Sequence, residues 1–149
     1  MHMERTFVML KPGVLQRRIV GEVLGRLERK GVKIIALKMI RMDKPMVETH
    51  YAEHRGKNFY EKLVEYTLSG PVIAMILEGA GIIGMIRRLI GPTDAGESLP
   101  GTIRGDLAGT TRLNIVHASD SPESAAREIP LFFNEREICD WEDGNAQWF

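Results

Sequence analysis

The stretch Thr6–Ile40, TFVMLKPGVLQRRIVGEVLGRLERKGVKIIALKMI, decides the fold class. Thr6–Leu10 is an apolar run of the kind found in buried strands, and Lys11-Pro12-Gly13 breaks it. Leu15, Ile19, Val23 and Leu27 then recur every fourth residue with arginine and glutamate between them, which gives a helix one apolar face. Arg29-Lys30 in the last turn and Gly31 as the cap predict where that helix stops. Val32–Ile40 is rich in β-branched and apolar residues and predicts a second strand.

The pattern continues outward from this strand–helix–strand unit. Met46–His54 and Asn58–Ser69 predict two shorter helices, the second stopped by Gly70-Pro71. Val72–Leu77 predicts a third strand, Ile82–Ile90 a helix and Leu113–His117 a fourth short strand. Ser121-Pro122 supplies an N-cap and a first-turn proline for a helix through Ile129. Two βα units, each followed by another strand, predict an α/β (α+β sandwich) fold. Its arrangement is the ferredoxin-like split βαβ, a four-stranded antiparallel sheet covered by helices, in a single domain spanning 1–149. Between Gly91 and Arg112 the periodicity disappears into a glycine-rich loop, and loops of this length are usually functional or disordered. The apolar terminus Trp148-Phe149 is expected to dock on something.

Composition excludes several classes. Twenty Lys+Arg balance twenty Asp+Glu, so neither a basic nucleic-acid coat nor a polybasic membrane surface is expected. A single cysteine, Cys139, forms no internal disulfide and no CxxC metal site, which predicts an intracellular, cytoplasmic chain. No signal peptide is expected, and the apolar run Pro71–Leu77 is too short to cross a bilayer.

Gly79-Ala80-Gly81-Ile82-Ile83-Gly84 spells GxGxxG. A dinucleotide fold also needs a second strand ending in Asp or Glu about 20 residues later, where this chain has its Gly/Pro loop. These are therefore read as turn and packing glycines, and no GxxxxGK[ST] phosphate loop is present. His50 and His54 stand four apart, but the residues between them are Tyr51-Ala52-Glu53, HExxH fails and no third ligand is evident. They are read as a solvated helix face. Arg87, Arg88, Thr93 and Arg104 around the long loop offer guanidinium forks and a hydroxyl to a polyphosphate, with surface ion pairs as the alternative. His117 closes the strand Asn114-Ile115-Val116-His117. It is either a structural histidine or a nucleophile able to carry a phosphoryl group.

Asn114-Ile115-Val116-His117-Ala118-Ser119-Asp120-Ser121 resembles the active-site signature of nucleoside diphosphate kinases. The segments Glu4-Arg5-Thr6-Phe7, Lys11-Pro12, Gln16-Arg17, Val20-Gly21-Glu22, His50-Tyr51, Ser69-Gly70-Pro71-Val72 and Pro100–Asp106 resemble that family in order and spacing, from about Glu4 to Phe133. The resemblance implies transfer of the γ-phosphate of a nucleoside triphosphate to a nucleoside diphosphate, ping-pong, through a phosphohistidine on His117, with broad base specificity. It implies that Arg87, Thr93 and Arg104 hold phosphates and that Lys11 and Asn114 contact the sugar hydroxyls, Lys11 also lying near the phosphates. Phe59 would stack on the base, while Tyr51, Ser119 and Glu128 line the site or orient the histidine. Mg2+ would ride on the nucleotide's phosphates, with no direct protein ligand, and the chain would form a homo-oligomer, a hexamer by preference over a tetramer. Two positions depart from the family pattern. Lys11-Pro12-Gly13-Val14 stands where Lys-Pro-Asp-Gly is usual, and Thr111 replaces an apolar residue opposite the stacking aromatic. The competing reading is a catalytically silent nucleotide- or nucleic-acid-binding regulator on the same fold.

Overall fold

β1 (Met3–Leu10) and β3 (Val72–Ala80) pair antiparallel at the centre of a four-stranded sheet in the computed structural model, which describes residues 2–149. β2 (Lys33–Ile40) adds to the outer edge of β3 and β4 (Val116–Ala118) to the outer edge of β1, giving the order β2-β3-β1-β4. Every neighbouring pair is antiparallel, so β1 and β2 run parallel with β3 between them, and β3 and β4 run parallel with β1 between them. This is the split βαβ arrangement expected from the sequence.

The apolar runs in β1 and β3 are continuous because both faces of the sheet are covered. Val8, Leu10, Met75 and Leu77 point to one side, where α1 (Val20–Arg29) brings Val23 and Leu27 and α4 (Ile82–Ile90) brings Ile82, Ile83, Ile86 and Ile90. Phe7, Met9, Ala74 and Ile76 point to the other, under Val47 of α2 (Lys44–His50), Val64 of α3 (Tyr60–Leu68) and Phe132 of α6 (Pro122–Phe132).

Several predicted boundaries move, each for a local reason. Residues 12–18 form turns and Arg18 sits at φ 60°, so the first helix begins only at Val20. The predicted helix Met46–His54 is cut: Asp43 caps α2 by accepting from the Met46 N–H, α2 ends at His50, and a separate 3-10 turn holds Ala52–His54. His50 is therefore not on a solvated face but buried, a correction with consequences for the site. The fourth strand starts at Val116 rather than Leu113 because Ile115 adopts φ 61°. The last helix passes Pro130 and ends at Phe132, whose ring stacks on Phe7 at 4.2 Å.

The glycine motif also resolves. Gly81 takes φ 62° to turn β3 into α4, and the Glu4 carboxylate accepts the Ile83 N–H at 3.2 Å. A side-chain anion thus occupies the helix N-terminus where a dinucleotide fold would seat a pyrophosphate. At the C-terminal end, the Cys139 N–H and the Trp141 indole N–H donate to the carbonyls of Ile35 and Ile34, so the tail lies back along β2. Trp148 and Phe149 remain exposed, although the Phe149 ring covers Gly31.

The long loop is ordered by its own short helix, α5 (Ile103–Leu107), capped by the Thr102 hydroxyl accepting from the Gly105 N–H. Gly105 packs so tightly that an added Cβ would lie 1.9 Å from the Leu99 carbonyl oxygen. Gly105→Ala must displace backbone, and overpacking of this kind costs about 1–3 kcal/mol. We expect thermal unfolding monitored by circular dichroism to show a midpoint lowered by roughly 2–10 °C.

Candidate active site

The site is built on a strained turn. Ile115, a β-branched residue at φ 61°, centres a γ-turn in which the Val116 N–H donates to the Asn114 carbonyl at 2.8 Å. The Lys11 N–H holds the Ile115 carbonyl at 2.8 Å. The turn separates two candidate side chains, leaving Asn114 before it beside Lys11 and His117 after it on β4. The Lys11 ammonium donates to Asn114 Oδ1 at 2.8 Å, and Asn114 Nδ2 donates to the Thr93 carbonyl at 3.2 Å.

Glu128 of α6 is buried and each of its oxygens has a partner. The Ser119 hydroxyl donates to Oε1 at 2.7 Å, and His117 Nε2 lies 2.8 Å from Oε2. Ser119 is itself held by Phe7, whose N–H donates to Ser119 Oγ at 3.1 Å and whose carbonyl accepts from the Ser119 N–H at 3.0 Å. With Nε2–H directed to a carboxylate, the neutral imidazole keeps its lone pair on Nδ1, the atom available for nucleophilic attack.

Cations surround this histidine. Arg87 of α4 donates to the Ala118 carbonyl at 3.2 Å, placing its guanidinium one residue from His117. Arg104 of α5 is 2% exposed and donates to the carbonyls of Gly91, Asn114 and Val116. It braces the strained turn from below rather than forming the surface ion pairs considered from sequence. Burial, with Arg87 beside it, lowers its pKa to about 10. Burial, with Arg104 nearby, likewise lowers the pKa of Lys11 to about 7. Among the described residues none of these three cations pairs with a carboxylate, so the site carries uncompensated positive charge suited to an anion.

A row of rings leads outward. His117 is 6.3 Å from Tyr51, Tyr51 6.0 Å from His54, and His54 5.2 Å from Phe59, centroid to centroid. Phe59 stands at the exposed end, half of it open to solvent, and Thr93 is exposed on the loop. The two departures from the family pattern are explained locally. Gly13 takes φ 99°, so the turn after Lys11 uses its glycine one position earlier. The Thr111 hydroxyl donates to Asp94 Oδ1 at 2.8 Å and accepts the Ala95 N–H at 3.0 Å, bracing the loop where an apolar side chain was expected to face the base.

His50 is what sequence reasoning missed. Its ring packs edge-on against His117 at 4.6 Å and against Tyr51 at 4.4 Å, and neither ring nitrogen has a hydrogen-bond partner. Burial, reinforced by His117 and Lys11, pushes its pKa far below the usual histidine range, so the ring is neutral. The apolar neighbours Met46 and Val47 were a signal that this helix end turns inward.

Comparison with known proteins shows the family. The family model for nucleoside diphosphate kinase matches residues 4–138. The chain is 56% identical over 146 residues to the nucleoside diphosphate kinase of Archaeoglobus fulgidus, covering 98% of this chain and 97% of that one. It is 54% identical over 149 residues to that of Treponema pallidum (strain Nichols), covering all of both. Among solved structures, the halophilic nucleoside diphosphate kinase from Halobacterium salinarum in complex with CDP superposes with a TM-score of 0.95 at 44% identity, over 99% of this chain and 98% of that one. The chain belongs to the nucleoside diphosphate kinase family.

Proposed function

We propose that His117 Nδ1 is the nucleophile through which this nucleoside diphosphate kinase passes its phosphoryl group. The observation that carries this is the Ser119–Glu128–His117 relay, which occupies Nε2 and leaves Nδ1 free. In the first half-reaction Nδ1 bonds to the γ-phosphorus of a nucleoside triphosphate as the bond to the β–γ bridging oxygen breaks, releasing the diphosphate. Nε2 keeps its proton, and Glu128 balances the positive charge that develops on the ring. In the second half-reaction a terminal oxygen of an acceptor diphosphate attacks the same phosphorus and the Nδ1–P bond breaks. Positioning and charge neutralisation carry such transfers, and Arg87, Arg104, Lys11 and Thr93 are the groups proposed to supply them. Arg104 would turn part of its fork from the main-chain carbonyls toward the phosphates.

The reaction uses a divalent metal, which we assign to Mg2+ carried on the nucleotide's phosphate oxygens. The donors present favour this: Glu128, the carboxylate at His117, has both oxygens engaged, and Mg2+ prefers oxygen ligands and retained water. When bound, Mg2+ neutralises charge on the transferring group. Phe59 would stack on the base with Asn114 and Lys11 at the sugar, a recognition that reads no base edge and so favours broad specificity. The 1–149 chain would act as one domain in a cytoplasmic homo-oligomer, a hexamer, with Leu37 and Met39 on edge strand β2 and Trp148-Phe149 supplying exposed apolar surface for assembly. No described helix is long and apolar enough to cross a membrane.

Incubation with Mg2+ and γ-labelled ATP should place acid-labile, base-stable label on His117 that passes to added GDP. His117→Asn should fold and lose turnover by several orders of magnitude, and substantial residual transfer would mean another nucleophile. Phe59→Ala should raise KM similarly for all nucleotides, stacking being worth about 1–3 kcal/mol, and an effect confined to one base would contradict sequence-tolerant stacking.

The depressed pKa of Lys11 has its own consequence. Its ammonium is fully charged only below pH about 7 in the folded chain. Nucleotide KM should therefore rise as pH climbs through that region, and Lys11→Gln should flatten this limb. The stability sign is opposite: the unfolded lysine holds its proton up to its ordinary pKa, so this group's contribution to stability increases with pH between the two values. A KM that is flat for the unaltered enzyme would remove the charged-lysine role.

A further inference from the structure

His50 has no part in the phosphoryl-transfer geometry, yet it buries a neutral imidazole with two unpartnered nitrogens against the catalytic histidine. Leaving such groups unpaired in the interior costs free energy and calls for an account. One ring nitrogen of His50, one of His117 and a carboxylate oxygen of Glu128 lie within 4.8 Å of one another. We propose that His50, His117 and Glu128 form an inhibitory binding site for a borderline-soft divalent transition metal, Zn2+ in the first instance, directly behind the nucleophile.

Two imidazoles and one carboxylate are a donor set that zinc centres use when they keep a fourth position open. Zinc–ligand bonds of about 2.0–2.1 Å put neighbouring donors of a tetrahedron about 3.3 Å apart, so the cluster closes around an ion with side-chain shifts of about 1 Å. The ion takes the place of the proton that His117 Nε2 shares with Glu128, and that proton leaves to solvent. Ser119 retains its hydrogen bond to Oε1, as an outer-shell partner of a ligating carboxylate commonly does. Lys11 and Arg127 oppose a dication here, since their charges already act on His50, and His54 adds no negative charge. The expected affinity is accordingly micromolar rather than that of structural zinc sites. Mg2+ is a poor competitor because two of the three donors are nitrogen.

The inhibitory consequence rests on His117 being the nucleophile. A metal on Nε2 withdraws electron density from the ring and ties the imidazole toward the core. Glu128, now a metal ligand, no longer balances charge on the phosphorylated ring. Free zinc thus stops transfer without occupying the nucleotide site.

The test uses the full chain, free of nucleotide and Mg2+, titrated calorimetrically with zinc chloride. One zinc should bind per chain, and His50→Gln and His117→Asn should each weaken binding by at least about tenfold, with His54→Gln without effect. Unchanged binding in either of the first two variants, or loss in His54→Gln, overturns the site. Because His50→Gln alters a buried position, the unaltered protein is also titrated with Co2+. Intense visible bands of a four- or five-coordinate ion support the site, and the faint spectrum of an octahedral aqua ion overturns it. Stoichiometric zinc added before MgATP should then abolish labelling of His117, with recovery on adding a chelator that spares Mg2+. Undiminished labelling of zinc-loaded protein overturns the inhibitory role. Protein that binds zinc but forms no phosphohistidine when zinc-free and supplied with MgATP refutes the nucleophile assignment alone, whereas protein that forms phosphohistidine but binds no zinc refutes the metal site alone.

Discussion

The buried carboxylate of Glu128 is the constraint on which the site's geometry depends. A carboxylate removed from water must have its oxygens satisfied by donors. Here the donors are the Ser119 hydroxyl and His117 Nε2–H, from the short edge strand and the residue just beyond it. Ser119 in turn exchanges hydrogen bonds with the main chain of Phe7 in β1. One acid therefore locks α6, the end of β4 and the central strand together, and sets which imidazole nitrogen faces outward. The arrangement stabilises the fold and orients the His117 ring through the same two hydrogen bonds.

Positive charge is treated in the opposite way. Lys11, Arg87 and Arg104 are brought close without a carboxylate partner among the described residues. Arg104 spends its donors on the two carbonyls that flank Ile115 and on that of Gly91 at the end of α4, so the cation that raises the local potential also holds the strained backbone in place. Burial and repulsion disfavour the charged forms of Lys11 and Arg104, a penalty that a bound anion would offset. Lys11 and Arg104 are thus desolvated cations already fixed in place, a setting suited to an anion.

Much of the fold was legible from periodicity and breakers. Thr6–Leu10, the four-residue repeat from Leu15 to Leu27 and the run Val32–Ile40 gave a βαβ unit, and the later strands gave its second copy. Most of the misplaced boundaries share a cause. Ile115 and Arg18 adopt left-handed backbone although neither residue type favours it, Pro130 sits inside a helix that Phe132 extends by stacking on Phe7, and His50 turns inward at a helix end. At Ile115, Phe132 and His50 a tertiary contact overrides the local preference from which a sequence is read, while Arg18 is held by local hydrogen bonds to the carbonyls of Leu15 and Gln16.

By itself the sequence determined the split sheet and the family, because apolar spacing and a contiguous signature from Asn114 to Ser121 are properties of neighbours along the chain. Only the tertiary structure decided that Arg104 lies beneath the Ile115 turn, that Glu4 caps α4, that Thr111 braces Asp94, and that His50 faces His117. Those relationships join residues from separate elements. Their energies come from burial and from satisfying polar groups away from water, conditions that exist only once the chain has closed around them.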